Sequence, residues 1–248
     1  MSLYEGLAYT NSAELCEQMA ERCDTALLAF STGKDSIASW LQMRKYFKRI
    51  IPYYKYHVPG LKFVERSLAY YEDFFGCHIY RLPSPSFFRW MNYGVFETPD
   101  RLSAAREYMF IDLDTYTDDT VADILRYNLG LSDDVYSGVG VRMADTPLRR
   151  VTIRTSGAVS HGRKSFYPVY DWVKKDLVAA FEEADIRLPV DYKVFGNTFD
   201  GLTYKYLRPM REYFPEDYLH LLEWFPLAEL EIARYEGLDS INAKREAS

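Results

Sequence analysis

The chain has 248 residues, 48% of them apolar, enough for a large core in one domain with an appendage. Its net charge of −6 excludes a protein that coats nucleic acid through excess Lys and Arg, though it leaves room for a local basic pocket. Three cysteines, Cys16, Cys23 and Cys77, with no Cys-x-x-Cys pair, exclude a disulfide scaffold, and no apolar run approaches the ~18 residues of a membrane span.

Asn11-Ser12 before Glu14 reads as a helix start, with Leu15, Met19 and Cys23 recurring every four residues. Thr25 to Phe30 lacks alternation and suits a parallel strand buried on both faces. A helix from about Asp35 to Lys48 follows. The second strand, Ile50 to Tyr56, contains Pro52, which cannot donate to a ladder and suggests a bulge or an irregular start. Lys62 to Phe75 returns to helix and Gly76 closes it. Cys77 to Leu82 reads as a third, buried strand, stopped by Pro83-Ser84-Pro85.

Residues 86 to 131 are less regular. They read as a helical excursion covering the site, through Phe96 and Thr98-Pro99-Asp100-Arg101, and then a helix from about Thr117 to Leu129. Val135 to Val141 is a fourth strand whose two glycines imply close backbone approach to a ligand or to another strand. A basic segment comes next: Arg142, Arg149, Arg150, Arg154, Arg163 and Lys164. Asp171 has the chemistry of an N-cap for a helix from Trp172 to Glu183, and the tail from Glu216 is helical in pattern, interrupted by Pro226. The expected architecture is α/β: a doubly wound, mainly parallel five-stranded sheet over residues 1–188, with a helical C-terminal extension over 189–248.

The stretch Ser31-Thr32-Gly33-Lys34-Asp35-Ser36 stands between the first strand and the second helix. Such a turn directs backbone N–H groups, at the positive end of a helix, toward an oxyanion. A Walker loop would need Gly where Leu28 stands and Ser or Thr directly after Lys34, so this loop is of another kind. Ser31 and Ser36 offer hydroxyls, Gly33 lets the backbone come close, and Lys34 adds a point charge. Asp35 is placed to order the loop or to assist Mg²⁺.

Together with the later Gly140-x-Arg142-x-x-Asp145-Thr146-x-x-Arg149 and Pro168-Val169-Tyr170-Asp171-Trp172, this loop resembles three motifs of the phosphoadenosine-phosphosulfate (PAPS) reductase family. They are the S-x-G-K-D-S loop of the N-type ATP pyrophosphatases, here with Thr32 at a usual glycine, the G-x-R-x-x-(E/D)-(S/T)-x-x-R element and the P-(I/V)-x-D-W segment. The likeness covers about residues 25 to 185 and is strongest to reductase-like proteins of phages and mobile elements, which share Val58-Pro59-Gly60-Leu61 and Phe199-Asp200-Gly201-Leu202.

The resemblance implies the fold of the adenine nucleotide α-hydrolases and a site for ATP or a PAPS-like nucleotide. Ser31, Thr32, Gly33, Lys34, Asp35, Ser36 and Asp145 would hold the nucleotide. Lys34, Arg142 and Arg149 would act on it, and Mg²⁺ would be held through phosphates with Asp35 as its protein ligand. The family's reductases use a late cysteine nucleophile, and many bind an iron–sulfur cluster through paired cysteines. This chain has no cysteine after Cys77, so neither is expected here.

The leading expectation is therefore an ATP pyrophosphatase that cleaves between the α and β phosphates and adenylylates an unknown acceptor. Two alternatives stay open: a sulfonucleotide (PAPS) reductase or sulfur-transfer enzyme borrowing a partner's thiol, and a non-catalytic nucleotide-binding subunit of a nucleic-acid-modifying assembly. A protein partner and oligomerisation fit any of the three. The start of the chain lacks a signal-peptide pattern, so a cytoplasmic protein is expected, with no membrane contact. Asp112, Asp114, Asp118, Asp119 and Asp123 read as a solvated helix start; an EF-hand would need Gly where Thr117 stands. His57 reads as a hydrogen-bonded structural residue with acid–base chemistry as the rival reading, and for His161, beside Arg163 and Lys164, the two readings balance.

Overall fold

The computed structural model describes residues 7–93 and 116–246. Phe96 and the Thr98–Arg101 part of the expected excursion lie outside those residues, as do Asp112 and Asp114 of the acidic cluster.

The chain begins α1 (Ser12–Arg22), β1 (Thr25–Ala29), α2 (Lys34–Met43), β2 (Arg49–Tyr56), α3 (Lys62–Phe75), β3 (Tyr80–Pro83) and α4 (Pro85–Tyr93). It continues α5 (Asp118–Asn128), β4 (Ser137–Val139), α6 (Pro147–Ser156), β5 (Val159–Ser160), β6 (Ser165–Phe166) and α7 (Lys174–Ala184). It closes with α8 (Asp191–Val194), α9 (Tyr204–Tyr213), α10 (Pro215–Trp224), a 3-10 turn at Pro226–Ala228 and α11 (Glu229–Glu246).

The fold is α/β. Among the described residues six strands run in the order β3-β2-β1-β4-β6-β5. β1 pairs in parallel with β2 and β4, β4 with β6, and β5 returns antiparallel on β6. The sheet therefore has one strand more than the expected five. The β5–β6 pair is two residues a side, too short to leave an alternation in the sequence.

Other differences have specific causes. α2 ends at Met43 rather than Lys48, and every residue from Ser36 to Met43 is buried, so it is a central helix. β3 starts at Tyr80, which leaves Cys77 half-buried ahead of the strand instead of inside it. Pro52 sits in register opposite Leu28 without a bulge. The carbonyl of Tyr53 accepts from Phe30 N–H, so the backbone of Pro52, one residue earlier, faces away from β1, and its missing N–H costs that ladder nothing. Asp171 does not cap α7. Val173 precedes that helix and Asp176 accepts from its N–H, while Asp171 accepts from Ser12 N–H at the head of α1.

The described chain divides into two compact units. The first holds the residues up to Lys55, then Tyr70–Leu82 and Asp118–Pro189. Leu27, Leu28, Phe30, Ile37, Trp40 and Tyr71 form its core, with Trp40 stacked on Phe75 at 3.8 Å between centroids. Arg126 of α5 is buried there and donates to the carbonyls of Val135 and Lys164, which bracket the starts of β4 and β6. The second unit holds Tyr56–Ala69, the described residues between Pro83 and Thr117, and those from Val190 on. Its centre is aromatic: Phe63 stacks on Phe214 at 4.6 Å, with Phe195, Phe199 and Tyr206 edge-on or tilted around them. The buried carboxylate of Asp217 accepts from the N–H groups of Lys62 and Phe63, capping α3.

Candidate functional site

β1 lies in the middle of the sheet, between β2 and β4, so the segments leaving β1 and β4 emerge side by side. The loop Ser31–Ser36 and the segment Gly140–Arg149 are those two exits, and all their residues belong to the first unit. Gly140 shows how close the approach is. A Cβ there would stand 2.7 Å from the carbonyl carbon of Asp35 and 2.7 Å from the amide nitrogen of Ser36. At Gly138 it would meet Met43 Sδ at 2.5 Å. The two glycines flagged in the sequence thus make room for α2 itself.

The loop is braced from within. Ser36 Oγ donates to Gly33 O at 2.8 Å and accepts from Ser31 N–H at 3.2 Å and from Ser31 Oγ at 3.3 Å. Thr32 holds φ at +58°, a region a β-branched residue rarely adopts, and its buried hydroxyl donates to Ser31 O at 2.6 Å. Gly33 precedes α2 without a side-chain cap, and no described hydrogen bond takes the N–H of Thr32 or Asp35. The positive end of α2 is open at this point.

Five charged side chains interlock at that end. Asp35 Oδ1 accepts from Arg142 Nε at 2.6 Å and Oδ2 from Lys34 Nζ at 3.1 Å. Asp145 Oδ1 accepts from Arg142 Nη2 at 2.8 Å, and Oδ2 accepts from Arg149 Nη1 at 2.7 Å and from the Arg142 backbone N–H at 3.1 Å. Arg142 also donates to the carbonyl of Trp172, in the Pro168–Trp172 segment, at 3.4 Å. The structure therefore brings together Lys34, Asp35, Arg142, Asp145 and Arg149 from positions more than 100 apart in the chain. Their exposures differ. The Arg142 side chain is 7% exposed, with its fork turned to the two carboxylates. Lys34 and Arg149 are 43% and 48% exposed. Thr146 caps α6 by accepting from Arg149 N–H, which fixes where Arg149 leaves the helix.

The remaining basic residues are engaged differently. Lys164 pairs with Asp133 at 2.7 Å and Arg163 approaches Asp119 at 3.9 Å. Arg150 and Arg154 are exposed on α6. His161 Nδ1 lies 3.3 Å from the Tyr136 hydroxyl. In the second unit His57 Nδ1 lies 3.1 Å from Ser84 Oγ and Nε2 lies 3.1 Å from Asp200 Oδ1, so both ring nitrogens are bonded. Burial pushes the thiols of Cys16 and Cys77 up, away from the nucleophilic thiolate. Two features here carried no sequence signal beyond their residue type: the Trp172 carbonyl as an acceptor for Arg142, and the left-handed backbone of Thr32.

The donor set does not fit a protein-held Mg²⁺. Each carboxylate oxygen of Asp35 and Asp145 already accepts from a cationic side chain. A dication at either carboxylate would have to displace these cationic partners or stand beside them against like-charge repulsion. Among the described residues there is no group of three or more His, Cys, Asp and Glu side chains placed to hold a metal ion. No described helix is long and apolar enough to cross a membrane.

No protein-family model and no curated protein matches the sequence. Among solved structures the chain is similar to the NH3-dependent NAD synthetase from Campylobacter jejuni subsp. jejuni NCTC 11168 in complex with the nitrate ion. The two are 10% identical over 90% of this chain and 91% of that chain, with a TM-score of 0.45. A likeness at that level bears on neither the activity nor the site residues of this chain.

Proposed function

We propose that the loop Ser31–Ser36 holds the phosphates of an adenine nucleotide, and that the chain is an ATP pyrophosphatase that transfers the adenylyl group to an acceptor. The observation that carries this reading is the convergence of the loop, at the open positive end of α2, with the Arg142–Asp145–Arg149 element. Neither segment alone makes an anion site; side by side they present Lys34 and Arg149 as half-exposed cations beside loop amides.

In this reading an oxygen of the acceptor attacks the α-phosphorus. The bond from the α-phosphorus to the α–β bridging oxygen breaks, and pyrophosphate leaves with the electron pair. The acceptor's proton passes to solvent. Lys34, Arg149 and the loop amides stabilise the charge that grows on the departing pyrophosphate, by fixed orientation rather than by covalent chemistry. Arg142, buried between Asp35 and Asp145, holds the two segments in register.

A sulfonucleotide on the same loop is the second reading, favoured by one observation: the carboxylates are committed to cations, which suits a ligand that needs no divalent metal. Because the chain has no cysteine after Cys77, its reductant would be a partner's thiol. Titration calorimetry with ATP and with PAPS, on wild type and Lys34→Ala, tests both, followed by assays for pyrophosphate release and, with thioredoxin added, for sulfite release. Pyrophosphate release lost in Lys34→Ala supports the first reading; sulfite supports the second. No binding of either nucleotide by the wild type overturns both.

A further inference from the structure

A loop that binds polyphosphate has two ways to meet its charge: a divalent cation shared between the ligand and a protein carboxylate, or fixed cationic side chains. The arrangement at the head of α2 separates these alternatives. Asp35 is the acidic residue of the loop, in the first turn of α2, and both its oxygens accept from cations, Arg142 at 2.6 Å and Lys34 at 3.1 Å. Asp145, the nearest carboxylate of the second segment, is committed in the same way to Arg142 and Arg149. The two more exposed cations of the cluster, Lys34 and Arg149, keep part of their side chains at solvent. Arg149 gives one described hydrogen bond from its side chain, to Asp145, so the rest of its fork remains for an oxyanion.

We infer that this loop takes the phosphates of its nucleotide without a protein-bound divalent cation. Lys34, Arg149 and the loop amides supply the countercharge, and Asp35 and Asp145 are positioning residues that aim those cations. The inference rests on the nucleotide reading above and deepens it: the ligand the protein recognises is the metal-free nucleotide anion. The free anion carries more negative charge than its Mg²⁺ complex, so cationic side chains and backbone amides attract it more strongly.

The test is calorimetric titration of the full-length chain with ATP at fixed ionic strength, once with EDTA and once with excess Mg²⁺. The expected result is a Kd in EDTA equal to that in Mg²⁺ or lower by about threefold. A Kd at least tenfold higher in EDTA overturns the inference and leaves the nucleotide reading standing. No binding in either buffer overturns the nucleotide reading and the inference with it. Two variants separate aiming a cation from ligating a metal. Asp35→Asn, checked for folding by circular dichroism, should keep the wild-type ratio of the two Kd values; a wild-type preference for Mg²⁺ that disappears in this variant would identify Asp35 as a metal ligand. The exposed Arg149→Gln should fold normally and weaken ATP about tenfold in both buffers, the loss of a charge-assisted contact. Unchanged affinity in Arg149→Gln would remove Arg149 from the binding set and overturn the division of roles.

Discussion

Both units of this chain hold carboxylates largely out of solvent, but with different partners. In the first unit Asp35 and Asp145 are held by the side chains of Lys34, Arg142 and Arg149. In the second, Asp217 is held by the backbone N–H groups of Lys62 and Phe63, and Asp191 by that of Phe199, inside an aromatic cluster. A carboxylate bonded to backbone amides fixes a helix start or a loop and brings no cationic side chain with it. A carboxylate set among an excess of cations leaves them aimed and able to take a second anion. The cation-bound carboxylates lie beside partly exposed side chains, the amide-bound ones inside the fold.

The contrast is sharpest at Arg142. Arg142→Met would leave Asp35 to Lys34 and Asp145 to Arg149, and losing the buried charge-assisted bonds to both should cost about 3 kcal/mol. Urea unfolding should show that loss, and wild-type stability in the variant would mean the cations do not hold this region. Gly140→Ala presses a methyl group against the backbone of α2's first turn and should cost about 2 kcal/mol, together with nucleotide affinity, because the two segments can no longer meet. A variant of normal stability and normal ATP affinity would show that the close approach is dispensable.

The second unit supplies the counterparts. Asp217→Ala uncaps α3 and should lower stability by about 1–2 kcal/mol in thermal melts, with no effect on ATP binding once folded. A change in ATP affinity there would blur the distinction between the two kinds of carboxylate. Asp191 is pushed above its ordinary value of 3.8 by burial. Its folded form binds the proton more tightly than its unfolded form. Its contribution is therefore fully present below about pH 4 and is lost as pH rises through the raised folded value. Asp191→Asn should flatten that part of the pH–stability curve and raise the urea midpoint at pH 7; an unchanged pH profile would contradict the cause given. Thr32→Gly is the mildest. Released strain offsets a lost hydrogen bond and added chain entropy, so stability should move by less than about 1 kcal/mol. ATP affinity should fall severalfold, because the loop loses its fixed shape; unchanged affinity would show that Gly33 and the helix end suffice.

Much of the architecture is legible along the chain. The unbroken apolar run of β1, the residue range of α3 and the loop between β1 and α2 follow from local pattern, because strands, helices and turns are specified by neighbours within a few residues. Where that reading ran differently, the cause lies beyond that distance. Asp171 has the chemistry of an N-cap but bonds the head of α1, 159 residues earlier in the chain. β5 and β6 are too short to show a period. The serines of the loop have donor hydroxyls, yet Ser36 spends its own on Gly33 O.

The sequence by itself determined the parts of the candidate site: a Ser/Thr/Gly/Lys turn at a helix start, and an Arg–Asp–Arg element after a glycine-bearing strand. Their coupling was decided by the tertiary structure. Arg142 and Asp35 are 107 residues apart, and nothing local to either says that they pair. They meet because the sheet order sets β4 beside β1 and because Gly140 has no side chain to keep the two exits apart. Charges in a sequence are candidates for binding; which of them turn to one another and which keep a face to solvent depends on where the backbone brings them, and here that divides the buried Arg142 from the half-exposed Lys34 and Arg149.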